Sequence, residues 1–371
     1  MPITSHPRRL RWLTALIGLL VACGRSDDRA DCRDGALDQI AEGVAGPVSR
    51  SGRRVVHYRI PRPEVQLHDI AVAPNGAVWY ADLLNSCIGK LDPVTGRFSE
   101  YPTASAGANP HGITVDSAGI VWYAETQLRR IGRIDPATGR QREFRLPDEI
   151  RRVHTLLVHG GQVWFTDDPA WAPSGRLDPK TGHAQIFQNR YQRVTASDGA
   201  VWIGLALADP LIRFPVPAVP PNRWLTIPDT WVQAGSGVAD QWLWWRLRSQ
   251  EAHPALMATD AAGRVWYNDR ERSVIGMLNP ASVQSREFPT ASDRAFVDDL
   301  AVERDGLIWF YEVRTSSLVG FDPATGTYES VEVGMPDVSV THMTTDPWRG
   351  DVWLGFRGVD GGALARIERA R

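Results

Sequence analysis

Imidazoles and carboxylates recur in this chain at two fixed distances from a repeated tryptophan. The tryptophan stands at Trp79, Trp122, Trp164, Trp202, Trp266, Trp309 and Trp353. Eleven residues before it (ten in the third copy) are His68, His111, His154, Asp298 and His342. Three residues after it are Asp82, Glu125, Asp167, Asp269 and Glu312. The fifth copy offers Ala255 at the first position and the fourth has Thr195 or its neighbour, closer to its tryptophan, while the fourth and seventh offer Leu205 and Phe356 at the second. A neutral imidazole suits a general base working near pH 7, and carboxylate oxygens suit Mg²⁺ or Ca²⁺. On that reading His111, His342 and His68 are candidate bases, and Glu125, Asp82 and Glu312 candidate ligands for Mg²⁺ or another divalent cation. Asn109, His154, Asp167 and Asp298 would face a bound ligand. The competing account is that these residues serve the repeat itself.

The elements that must hold them follow from the same repeat. Successive tryptophans are 43, 42, 38, 64, 43 and 44 residues apart. A period near 42, filled with short alternating apolar runs, is that of a four-stranded propeller blade. The clearest copy reads Pro110-His111-Gly112-Ile113-Thr114-Val115, then Val121-Trp122-Tyr123-Ala124-Glu125, then Ile131-Gly132-Arg133-Ile134-Asp135-Pro136. Asp-Pro-x-Thr-Gly turns the third strand into the fourth, as at Asp92–Gly96 and Asp322–Gly326. Period-2 runs between such turns are strands. The expectation is an all-β, seven-bladed propeller of antiparallel blades over residues 53–371. The last copy stops after its third strand, so the run Arg54–Pro61 is expected to complete the last blade and close the ring. The start of each first strand and the end of each second strand then share one face, around the mouth of a central channel.

The gap of 64 residues is read as a Trp-rich insertion, residues 230–253, between the fourth and fifth blades. It carries Trp231, Trp242, Trp244 and Trp245. Trp242, Trp244 and Trp245 are candidates to stack on a ligand ring at the mouth. A hydrophobic plug and a docking patch for another envelope protein are the other two readings of this segment.

Residues 1–22 read as an export signal, with Arg8, Arg9 and Arg11 before a short apolar run. The run ends Leu20-Val21-Ala22-Cys23, which resembles a bacterial lipoprotein signal and implies lipid on Cys23. A plain secretory peptide is the alternative. Gly24 after the cysteine implies an outer-membrane anchor facing the periplasm, with residues 23–52 as a polar tether. Cys32 and Cys87 remain as an even pair in an oxidising compartment and are expected to form a disulfide. Loss of three signal-segment arginines takes the formal charge from −2 to −5, which argues against a nucleic-acid partner. Only two lysines occur, Lys90 and Lys180, and no Gly-x-Ser-x-Gly, His-Glu-x-x-His or Walker motif is present. Acid–base chemistry on a ligand, or binding without chemistry, is what the residue supply leaves.

Pro-His-Gly-Ile-Thr, Val-Trp-Tyr-x-Glu and Ile-Gly-Arg-Ile-Asp-Pro together resemble the virginiamycin B lyase (streptogramin lyase) family over residues 54–371. That resemblance implies a seven-bladed propeller and a Mg²⁺-dependent lyase that opens a cyclic depsipeptide by C–O elimination. It implies a site built from a Glu-Pro-His in the last blade, a Glu fourteen residues beyond that His, and a His one blade earlier. Here those positions hold Val340-Thr341-His342, Phe356 and Asp298, so only the His is kept. A register shifted round the ring fits better: His111, Glu125 fourteen residues on, Asn109 two before, and His68 one blade earlier. The expected function is therefore an envelope-anchored lyase-like propeller acting on a cyclic ester, lactone or sugar-derived small molecule. The rival is a monomeric, non-catalytic binding or scaffold propeller that meets its ligand or partner protein through the Trp-rich segment.

Overall fold

The computed structural model describes Cys32, residues 35–168 and 173–187, the strands within 193–215 and at 243–246, and most of 254–370. Every described element is a strand, and the sheets are antiparallel and mostly four-stranded. In the second blade Pro110–Val115, Val121–Glu125, Arg130–Asp135 and Arg140–Arg145 lie in simple sequence order. The first blade (Leu67–Val72, Val78–Asp82, Cys87–Asp92, Arg97–Pro102), third, fifth (Pro254–Thr259 onward) and sixth (Val297–Val302 onward) repeat that order. The sheet of Arg193–Ser197, Ala200–Gly204, Pro210–Pro215 and Leu243–Arg246 is described by its backbone alone. In the last sheet Val338–Thr345, Val352–Gly358 and Gly361–Arg369 are followed by Arg53–Arg59, which pairs from Arg53↔Arg369 to Arg59↔Ala363.

The tryptophan that marks each repeat explains why the sheets stack. Trp79, Trp164, Trp266, Trp309 and Trp353 are at most 2 % exposed. Four of them belong to cores shared with a neighbouring blade: Trp309 packs with Val340, Met343 and Val352, Trp353 with Val56, Leu67 and Ile70, Trp79 with Ile113 and Val121, and Trp266 with Val297 and Leu300. Burying a ring of that size stabilises by a few kcal/mol, so the anchors supply much of the adhesion between blades. In three blades the indole N–H is satisfied by an acid six residues earlier, in the turn before its strand, and in the third blade by the His159 carbonyl. Trp122 donates to Asp116 at 3.2 Å, Trp266 to Asp260 at 2.8 Å and Trp309 to Glu303 at 2.8 Å. The Asp-Pro-x-Thr-Gly turns close in the same economical way. Asp92 accepts from the Val94 amide and the Thr95 hydroxyl, and Gly96 takes φ +68°, which a side chain disfavours.

Two expectations change. Part of the segment read as a tether is strand: Gly35–Ile40 adds to the outside of the first blade and Val44–Ala45 to Arg53–Arg59. The Trp-rich insertion is also displaced. Leu243–Arg246 is the outer strand of the fourth sheet, paired with Pro210–Pro215, so Trp244 and Trp245 belong to a blade. The long connection therefore precedes this strand, because Leu-Trp-Trp-Arg satisfies a strand's pairing better than it does a loop. Trp242 and the rest of that connection lie outside the described residues, as does Cys23.

Candidate functional site at the channel mouth

The first strands of neighbouring blades pack side by side around the channel and bring the histidines of different repeats together. The ring centroids of His68 and His111 are 3.4 Å apart, and those of His111 and His154 are 4.0 Å apart. His68 and His154 are 6.3 Å apart, so the three imidazoles form a row across the first, second and third blades. All three are partly exposed. Asn109, two residues before His111, sits at φ +49°, a conformation asparagine tolerates better than most residues. The fold thus brings His68, His111 and His154 side by side.

The fourth histidine of the set is held differently. His342 places Nε2 3.1 Å from Oδ1 of Asp69 and Nδ1 2.8 Å from Oδ2 of Asp299. Asp69 and Asp299 were not among the residues singled out from sequence. A signal was available: both stand ten residues before their tryptophan, one place after the position that was followed. They line a channel cavity of about 1040 Å³ together with His342, His159 and residues of the turns between first and second strands. The side chain of Asp298 lies outside the described residues.

The carboxylates at the ends of the second strands are buried and do not join the histidine row. Asp82 pairs with Arg62 and accepts from the Gln66 amide at 3.0 Å. Asp167 accepts from the amides of Arg151 and Arg152. Glu312 accepts from the hydroxyls of Ser292 at 2.7 Å and Thr315 at 3.1 Å. Asp269 holds Arg272 at 2.9 Å. Three of these partners, Arg62, Arg151 and Ser292, come from the loop entering the same blade, so the acids fasten those loops on the mouth face. A divalent cation does not fit Asp82, Glu125 and Glu312 as a set. Among the described residues, the group of three metal-capable ligand atoms within 4.8 Å of one another is Cys32, Cys87 and Glu100. Its two sulfurs are the Cys32–Cys87 disulfide, which ties the N-terminal segment to the first blade.

Glu125 differs from its counterparts. In the first blade Arg62 bridges Asp82 and Glu100, and in the fifth Arg272 bridges Asp269 and Glu287. In the second blade Arg130 binds Glu143 at 2.5 Å and Ser105 at 2.8 Å, leaving Glu125 without a guanidinium. Glu125 is fully buried, and neither of its oxygens closes a well-formed hydrogen bond, although Glu143 and Tyr123 face it. Burial first, then the charge of Glu143, pushes its carboxyl up to about 8. A carboxyl in that state holds its proton at pH 7. Tyr123 sits beneath this cluster with its ring over Gly132, where a Cβ would overlap the ring.

The described sheets define an all-β propeller of antiparallel blades. Residues 33–208 match the Virginiamycin B lyase family, so the resemblance carried by the repeats holds over that stretch. Solved structures agree with the fold. Selenomethionine virginiamycin B lyase from Staphylococcus aureus aligns with TM-score 0.69 at 16 % identity, covering 85 % of this chain and 99 % of that one. A streptogramin B lyase aligns with TM-score 0.70 at 17 % identity, covering 87 % of this chain and 100 % of that one. A catalytically inactive histidine-to-alanine variant of the S. aureus enzyme, solved with quinupristin, aligns equally well, with TM-score 0.69 and 16 % identity over the same shares. At these identities the likeness is one of fold. No curated protein matches in sequence.

Proposed function

We propose that this chain is a closed, seven-bladed, lyase-like propeller whose His68–His111–His154 row transfers protons on a small cyclic ester or lactone at the channel mouth. The observation that supports this reading is the 3.4 and 4.0 Å approach of three imidazoles from three successive blades. Adjacent imidazoles raise each other's preference for the neutral form, which is the form that accepts a proton. In the reaction proposed, His111 takes a proton from the carbon next to the one bearing the ester oxygen. The C–H electron pair becomes the new C=C bond, the ester C–O bond breaks, and the carboxylate leaves with the C–O bonding pair. The ring opens without water, and the proton rests on the imidazole until exchange with solvent. The family's base position, His342, is occupied by two aspartates and plays no part in this step. Incubation with a panel of cyclic depsipeptides and lactones, followed by mass spectrometry, tests the idea. Ring opening without a gain of 18 mass units, lost in His111→Ala, is expected. Opening that survives in His111→Ala would overturn it.

The Cys32–Cys87 disulfide supports an oxidising compartment, and with it the proposed export of the chain and its lipid attachment at Cys23 in a bacterial envelope. Lipid-labelled protein from intact cells, absent in Cys23→Ser, would establish the anchor; unlabelled soluble protein would remove it.

A further inference from the structure

We propose that His342 is a positioning strut, an imidazolium held between Asp69 and Asp299 that fixes the His68–His111 pair. The inference rests on the reading of that pair as the working group. His342 belongs to the last blade, Asp299 to the sixth and Asp69 to the first, so one ring spans two blade boundaries. Each of its nitrogens faces a carboxylate oxygen, at 3.1 and 2.8 Å. A neutral imidazole donates from one nitrogen and accepts at the other, and an acceptor nitrogen against a carboxylate repels it. Two donors exist only in the imidazolium, so the three groups together carry one negative charge.

Both aspartates are anchored on backbone as well. Asp299 accepts from Leu300 at 2.7 Å and from Met343 of the next blade at 2.7 Å. Asp69 accepts from Ile70 at 2.8 Å and from Ile113 of the next blade at 3.2 Å. The tie therefore runs from the sixth blade through His342 to the first strand of the first blade, and on to the strand carrying His111. His68 is the neighbour of Asp69, and His111 lies two residues before Ile113. Moving Asp69 moves both members of the 3.4 Å pair.

The first strand of the sixth blade, packed beside His342's own, contributes Asp299 and Asp298, the latter with its side chain outside the described residues. The first strand of the first blade contributes Asp69 and His68. The strand paired with His342 carries Arg357, which lies opposite Ser339, away from His342's partner Gly355.

Side-chain ¹H–¹⁵N NMR of the folded chain reads the strut without any substrate. The expected wild-type spectrum at pH 7 shows both His342 nitrogens protonated. A bare nitrogen on His342 would overturn the proposal without recourse to a variant. His342→Gln removes the charge and one donor, and should shift the His68 and His111 ring resonances while leaving His159, at the far end of the cavity, in place. His342→Arg, whose planar fork can reach two carboxylates, should keep the wild-type pattern. Unchanged His68 and His111 in the Gln variant, or equal disturbance in the Arg variant, would refute it. If His342→Gln fails to fold, the wild-type spectrum and the Arg variant still decide. Loss of lyase activity with an intact strut signature would fault the functional reading alone.

Discussion

Replacing Glu125 by glutamine should make the protein more stable at neutral pH, although it removes a charged residue from the repeat. The carboxyl is fully buried beside Glu143 and has no guanidinium of its own. Its folded value is about 8 against an ordinary 4.5. A group that binds its proton more tightly when folded stabilises fully below 4.5, and that contribution is lost as pH rises through about 8. At pH 7 the unfolded carboxyl is ionised while the folded one is neutral. Raising the proton affinity over that interval costs roughly 3 kcal/mol at most, at about 1.4 kcal/mol per pH unit. Glutamine has the shape of the neutral acid and no proton to bind, so it escapes this cost. Urea unfolding of wild type and Glu125→Gln at pH 5 and pH 7 provides the assay. The variant's advantage should grow by about 2 kcal/mol or more between the two, with wild type weakening and the variant nearly flat. A variant that is less stable than wild type by a larger margin at pH 7 than at pH 5 would refute the argument. It would mean that Glu125 is ionised and draws on Arg130.

The counterpart cluster in the first blade should respond in the opposite sense. Arg62→Ala strands the buried carboxylates of Asp82 and Glu100 and should cost about 3–5 kcal/mol by chemical unfolding, while Arg62→Ala/Asp82→Asn/Glu100→Gln should recover most of it. Gly132→Ala drives a methyl into the Tyr123 ring, and a loss of about 1–3 kcal/mol is expected by thermal unfolding, largely relieved in Gly132→Ala/Tyr123→Leu.

Much of the fold was legible because each blade is nearly a local object. The apolar run Val121-Trp122-Tyr123, buried on both faces, marks a strand inside the stack, and Asp-Pro-x-Thr-Gly fixes the turn, so strand order within a blade follows from the chain. The fourth sheet was misread where local signals failed: Leu243–Arg246 is a strand because Pro210–Pro215 lies beside it, a partner that lies nearly thirty residues away in the sequence. Cys32 and Cys87 could be paired by arithmetic because only two thiols remained.

The site divides along the same line. Spacing alone put His68, His111, His154 and His342 at one level of the ring, since equivalent residues of a repeat occupy equivalent places. It could not say what each would meet, because their neighbours come from other blades. The same repeat position yields an imidazole tilted against two other histidine rings at His111 and one held between two carboxyl groups at His342, the difference lying in Asp69 and Asp299. Likewise Asp82 and Glu125 look interchangeable in sequence. Only the packed blade shows that one has Arg62 and the other has Glu143, and burial beside Glu143 raises the proton affinity of Glu125. Local periodicity determined the scaffold and the list of candidates. Tertiary contacts, within a blade for Glu125 and between blades for His342, decided their partners, because charge in a dry interior is set by whatever lies within a few ångströms, wherever it comes from in the chain.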